Sequence, residues 1–189
     1  RVNGGLGIDT LRLTGANLHL DLTKIPDNRI QEIEIIDITG SGNNILSLNA
    51  REVLNLSGHS NTLTVLRNAG DLVNLGSDDA WTLVGAVNDG GTIFEVYQSG
   101  QAIVRIQSLR ATIAGATFNL AGTTGNDLSR FDAPAQVVTL FNLVDETVTI
   151  RLRPALISIG YNVSGFTLVN VDALAGEDTV EILGTPGND

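Results

Sequence analysis

The chain contains no cysteine and no methionine, and only one tryptophan, one lysine and four prolines in 189 residues. Without cysteine, neither a disulfide framework nor thiol catalysis is open to it. Lys24 is the only lysine, and 11 basic residues face 21 acidic ones, for a net charge of −10. Such a surface repels nucleic acid and anionic membranes, and no basic patch interrupts it, so nucleic-acid recognition is not expected. Aromatic residues make up 4% of the chain, too few for a glycan platform built on exposed rings. No apolar run reaches membrane-spanning length and no signal peptide is visible, so membrane insertion is not expected either. A sustained 3.6-residue apolar stripe is also missing, which excludes long amphipathic helices. A primary translation product opens on methionine, whereas this sequence opens on Arg1 and stops at Asp189 inside a motif. The expectation is a segment of something longer.

What is present is a period of two. Leu18, Leu20 and Leu22 alternate with His19 and Asp21, and similar pairs recur at Ile36/Ile38, Leu46/Leu48, Leu54/Leu56, Leu63/Val65, Val73/Leu75 and Trp81/Leu83. Glycine and asparagine punctuate the gaps, as in Gly40-Ser41-Gly42-Asn43-Asn44 and Gly58-His59-Ser60-Asn61. Short strands at intervals of eight to ten residues imply an all-β chain. The turns lack strong two-residue hairpin signals, which favours a β-solenoid or β-roll in which each strand stacks on the previous coil. Tandem β-sandwiches are the alternative. Asparagine amides stacked along such turns can form ladders. Asn49-Ala50-Arg51-Glu52 has the spacing of a capping box and suits either a single helical turn or a loop. From Trp81 to Gln107, Asp89-Gly90 and Ser99-Gly100 separate three alternating runs, the pattern of an antiparallel meander. The expected organisation is therefore a solenoid-like unit over 1–107 ending in that meander, and a second β unit over 108–189.

The second unit carries a repeat. Leu120-Ala-Gly-Thr-Thr-Gly-Asn-Asp127 returns as Ile182-Leu-Gly-Thr-Pro-Gly-Asn-Asp189, 62 positions on. Near the start, Gly4-Gly5-Leu6-Gly7-Ile8-Asp9-Thr10-Leu11 fits the nonapeptide Gly-Gly-x-Gly-x-Asp-x-apolar-x at every fixed position. Here the chain resembles the repeats-in-toxin (RTX) family, calcium-binding β-solenoids of secreted bacterial proteins. Gly122–Asp127, Gly184–Asp189, Ala175–Val180 and Asn68–Val73 look like looser versions. The resemblance implies Ca²⁺ as the bound ion, with the motif aspartates and glycine carbonyls as ligands. By position these are Asp9, Asp71, Asp127, Asp178 and Asp189, with Gly5, Gly7, Gly125 and Gly187.

No catalytic constellation stands out. His19 lies on the polar phase of a strand and His59 in a turn, and no Gly-x-Ser-x-Gly elbow accompanies either. Asp78-Asp79 could be a carboxylate pair or solvated loop acids. The expected function is a non-catalytic structural or adhesive segment of a large extracellular or cell-surface bacterial protein, rigidified by calcium. Its partners would be neighbouring copies or flanking domains. The alternatives are a fragment of a polysaccharide-acting parallel β-helix enzyme and a glycan-binding module.

Overall fold

A chain that buries every second side chain in short stretches, with glycine and asparagine between them, has no means of building long helices and must satisfy its backbone between strands. The computed structural model describes residues 1–77, 79–122, 128–132, 135–141, 150–151, 159–172, 174 and 178–183. Among these the chain is all-β, with open sheets, one α-helix and one 3₁₀ turn. A first pass holds β1 (Val2–Asn3), β2 (Thr10–Arg12) and β3 (His19–Asp21), and a second holds β4 (Ile30–Gln31), β5 (Ile35–Asp37) and β6 (Ile45–Ser47). After helix α1 (Ala50–Leu56), a third pass holds β7 (Thr62–Leu66) and β8 (Leu72–Asn74). Then β9 (Thr82–Asp89), β10 (Thr92–Ser99) and β11 (Ala102–Gln107) follow one another through two-residue turns and lie side by side in sheet order, as a meander does. The remaining strands are β12 (Ala111–Ala114), β13 (Thr117–Ala121), β14 (Leu128–Asp132), β15 (Val137–Phe141), β16 (Ile150–Arg151), β17 (Ile159–Asn162), β18 (Leu168–Asp172) and β19 (Thr179–Leu183).

The chain forms two compact units. The first comprises Arg1–Thr82, Val96–Gln107 and Glu146–Arg153, and the second comprises Leu83–Glu95, Ser108–Asp145 and Pro154–Asp189. In the first unit each pass lies parallel to the one before it. Strands β2, β5, β7 and β11 share one sheet, and β3, β6, β8 and β16 share another. Strands β1 and β4 form a third, two-stranded parallel pair. Register puts like on like: Leu11 beside Ile36, Ile36 beside Val65, and Val65 beside Ile106. On the second sheet Leu20, Leu46 and Val73 form the matching column, and Ile150 pairs with Val73 along the backbone. Ile36, Val65, Ile106, Leu46 and Val73 are completely buried. Each such side chain contributes about 2 kcal/mol through removal from water.

A second set of contacts runs through the turns. Asn44 Oδ1 accepts the Leu18 N–H at 2.8 Å, reaching back 26 residues. One pass later Asp71 Oδ1 accepts the Asn44 N–H at 2.8 Å, reaching back 27 residues, while its Oδ2 accepts the Asn68 N–H at 2.7 Å. Asn44 also donates to the carbonyls of Ile38 and Gly15. Both side chains are buried, so the backbone at the entry to β3, β6 and β8 is tied together by amide and carboxylate groups inside the turn stack. The approach is close. A Cβ on Gly40 would lie 2.5 Å from the carbonyls of Gly15 and Leu13, so only glycine fits there.

Two stretches depart from the alternating-strand expectation. Leu22 lies in a 3₁₀ turn, Leu22–Lys24, because Asp21 accepts the N–H and the hydroxyl of Thr23 and caps the turn. Leu54 and Leu56 lie in α1 rather than in a strand. Asn49 caps this helix by accepting the Glu52 N–H at 3.1 Å, and Asp79 Oδ2 accepts the Ala50 N–H at 2.7 Å. Two of the helix's orphan N–H groups are thereby satisfied, which stabilises a seven-residue helix too short to persist alone. The Leu56 carbonyl accepts the Ile33 N–H, tying α1 to the second pass.

In the second unit, β12 and β13 form a hairpin and β13 pairs in parallel with β18. Strand β14 pairs antiparallel with β15 and parallel with β19, and β15 pairs antiparallel with β17. The hydrogen bond from Asn170 Nδ2 to Asn119 Oδ1 and the Arg130–Glu181 ion pair both span 51 residues. The stacking interval is thus 51, not the 62 of the sequence repeat. The two repeat strands, β13 and β19, consequently sit in different sheets. The core is Phe118, Leu120, Val138, Leu140, Ile159 and Tyr161, with the Phe118 ring tilted against Tyr161 and Phe166. Glu95 is buried beside it and accepts hydrogen bonds from Ser108 Oγ at 2.8 Å and Tyr161 OH at 3.0 Å. Burial, and next the neighbouring Glu95 charge, push the Tyr161 phenol well above its ordinary value, so it stays a donor.

Two predictions follow from the turn stack and the helix cap. Asp71→Ala leaves the buried N–H of Asn44 and the half-buried N–H of Asn68 unpaired, and should remove about 3 kcal/mol of stability in urea unfolding. Asp71→Asn keeps one acceptor and should lose less; equal stability of Asp71→Ala and wild type would refute the staple. Glu52 is buried, and desolvation first, then Asp27, raises its carboxyl above the ordinary value, with Arg51 opposing. A raised carboxyl contributes most below its unfolded value and loses that contribution as pH rises through the folded one. Glu52→Gln should therefore melt higher than wild type at neutral pH, with the gap closing in acid, whereas Asn49→Ala should lose about 1 kcal/mol throughout. A Glu52→Gln variant that melts lower at neutral pH contradicts this account.

Candidate functional site

The motif-bearing loop at the start of the first unit is built by glycine. Gly5 and Gly7 have φ of 96° and 117°, in the left-handed region. Gly4 stands where a Cβ would run into the Glu32 carbonyl and the Asp9 side chain. The loop therefore folds Asp9 tightly against the second pass. There the Asp9 N–H donates to Glu34 Oε2 at 2.9 Å, and the Asp9 carbonyl accepts from Ile35 N–H at 3.0 Å. Asp9 Oδ2 is buried and has no hydrogen-bond partner among the described residues. An orphaned carboxylate oxygen beside a second carboxylate and a nearby carbonyl is an oxygen-only donor set, which suits a hard cation such as Ca²⁺. Two carboxylates are fewer than a complete shell: no three His, Asp or Glu side chains converge among the described residues.

The other nominated residues are placed differently. Asp71 is buried in the turn stack with both oxygens accepting backbone N–H groups, so its carboxylate serves the fold. Asp178 lies just before β19. Asp127, Asp189, Gly125 and Gly187 lie outside the described residues, as does Asp78. Asp79 caps α1. His59 is exposed in its turn and pairs with Glu32 Oε2 at 3.0 Å.

A second feature escaped the sequence reading. On the outer face of β3, β6 and β8 lies a groove of about 630 Å³, lined among others by His19, Asp21, Lys24, Ser47, Asn74 and Asp79. It follows from alternation. With Leu20, Leu46 and Val73 turned to the core, their neighbours face outward, and register sets Asp21 beside Ser47 and Ser47 beside Asn74. His19 Nε2 lies 2.9 Å from Ser47 Oγ, across 28 residues of sequence. The second imidazole nitrogen meets no carboxylate among the described residues, so the third member of a nucleophilic triad is not supplied there. The signal that could have found the groove was the recurrence of polar residues at one strand phase, one coil apart.

No family model, no curated protein and no solved structure matches the chain. The likeness of Gly4–Leu11 to the RTX repeats therefore rests on those residues alone. Among the described residues, no helix is long and apolar enough to cross a membrane.

The loop geometry makes its own prediction. Gly4→Ala forces the Glu32 carbonyl and Asp9 apart and should lower stability by about 2 kcal/mol, as overpacking does. It should also speed hydrogen exchange at the Asp9 and Ile35 amides. Unchanged exchange at both amides would show that the loop is not held by this close approach.

Proposed function

We propose that the chain is a non-catalytic structural or adhesive segment of a large extracellular or cell-surface bacterial protein, stacking on neighbouring copies or flanking domains and rigidified by calcium. The observation that carries the reading is the state of the strand edges. Strands β2 and β3 each end their sheet, and β1 has β4 as its sole neighbour among the described strands. Beside them Leu6 and Ile8 are 98% and 77% exposed. In the second unit β18 and β19 likewise end their sheets among the described strands, and Ile182 on β19 is 73% exposed. The steps between passes of the first unit are parallel strands laid on such an edge, so a further copy adds by the same hydrogen bonds and apolar cover. Calcium enters through Asp9. A buried carboxylate oxygen without a donor destabilises the loop, and a divalent ion held between Asp9, Glu34 and loop carbonyls would remove that penalty. External media supply the ion, and an acidic chain gains from it.

The reading is tested by melting and sedimentation of the whole chain in EDTA and in about millimolar calcium. Calcium should raise the melting temperature of wild type and not of Asp9→Ala, which in EDTA should match or exceed wild type. Ile182→Lys and Ile8→Lys should each reduce concentration-dependent association. Identical melts with and without calcium would remove the ion from the account, and a monomer at all concentrations that also ignores flanking sequence would remove the stacking.

A further inference from the structure

The groove on the outer face of β3, β6 and β8 is not needed for stacking, and its lining goes beyond what the fold requires. Asp21 uses one carboxylate oxygen on Thr23, and Asp79 uses one on the Ala50 N–H. Asn74 uses its amide oxygen on the Gly76 N–H, and Asn49 uses its own on the Glu52 N–H. Among the described residues, nothing binds the second oxygens of both aspartates or the NH₂ groups of both asparagines. Lys24, the chain's one lysine, and the second ring nitrogen of His19 are two further polar groups without a partner among the described residues. Six uncommitted polar groups therefore gather on one groove of about 630 Å³, floored by the buried Ser47 and its contact to His19.

The chemistry of this lining selects among ligands. Two carboxylates against one ammonium repel phosphate, sulfate and nucleic acid. Among the described lining residues Leu48 is the only large apolar side chain, so a lipid tail or an apolar peptide side chain would find little to bury against. The carboxylates only accept, the ammonium only donates, and serine and threonine hydroxyls do both. A ligand that satisfies them all must carry many groups that both donate and accept, which describes the hydroxyls of a sugar. The column Asp21, Ser47, Asn74 climbs the stack at the strand spacing of about 4.8 Å, presenting successive polar steps to an elongated ligand. The geometry points to a binding groove for a neutral saccharide chain, held by hydrogen bonds without aromatic stacking. It stands independently of the calcium loop and of the strand edges.

The test is a heteronuclear NMR titration of the whole chain with neutral oligosaccharides of several linkages, and with an oligo-uronate for comparison, each to about 10 mM. A neutral oligosaccharide should shift the amides of His19, Ser47 and Asn74 with a dissociation constant near millimolar. Lys24→Ala and Asp21→Asn, both confirmed folded by their melts, should each weaken binding about tenfold, as loss of a charged hydrogen bond does. Shifts that ignore both substitutions, tighter binding of the uronate, or no shift with any sugar would each overturn the proposal. Loss of sugar binding would leave calcium-dependent melting and association untouched, so the two readings fail separately.

Discussion

The first unit depends on one problem being solved repeatedly: where the backbone enters a new strand, its N–H groups turn toward the turn stack and need a partner there. Asn44 and Asp71 solve it by lending a side-chain oxygen to the equivalent residue of the preceding pass. Strand pairing alone would permit slippage, since the apolar columns are built from interchangeable Leu, Ile and Val. A buried amide that must meet one N–H and two carbonyls has a single acceptable register. The staple therefore specifies alignment, while hydrophobic burial supplies most of the driving force. Everything on the outer surface inherits that alignment, including the column that sets Asp21, Ser47 and Asn74 in line.

The same residue types serve opposite purposes by position. Asp71 is consumed by the turn, Asp79 and Asn49 by the start of α1, and Asp21 by a 3₁₀ cap, yet the last three keep one polar group facing the groove. An acidic chain with few cations could accumulate such groups only by dispersing them into hydrogen bonds, and this one does so at nearly every turn. Asp9 is the exception, with a buried oxygen that no donor among the described residues reaches.

Much of the architecture was legible in the sequence because alternation and turn residues are local signals. Strands β5 to β8 and the meander from β9 to β11 fall on the alternating runs. The capping-box spacing at Asn49 left a helical turn and a loop equally open, and α1 forms there although the leucines after it mimic a strand. What eluded the sequence is non-local. Nothing in Leu120–Asp127 and Ile182–Asp189 tells that strands stack at an interval of 51, because register there is set by pairs such as Asn119–Asn170 and Arg130–Glu181. Asp71 looked like a motif aspartate because a turn staple and a metal ligand share a preference for glycine-flanked acids. The groove was invisible for a related reason: His19, Ser47 and Asn74 become neighbours only after the passes are laid in register.

Strand β16 carries a consequence for how the chain is made. Ile150 pairs with Val73, so the sheet formed by β3, β6 and β8 receives its fourth strand from a segment that follows β12 to β15 of the other unit. As the chain emerges from the ribosome, the first three passes can close on one another at once, each contact spanning fewer than about thirty residues. The edge of β8 stays uncovered until more than two thirds of the sequence has been synthesised. Folding order is thereby written into the connectivity: an early nucleus of short-range coils, and a late docking of one short strand that completes the first unit only when the second is well under way.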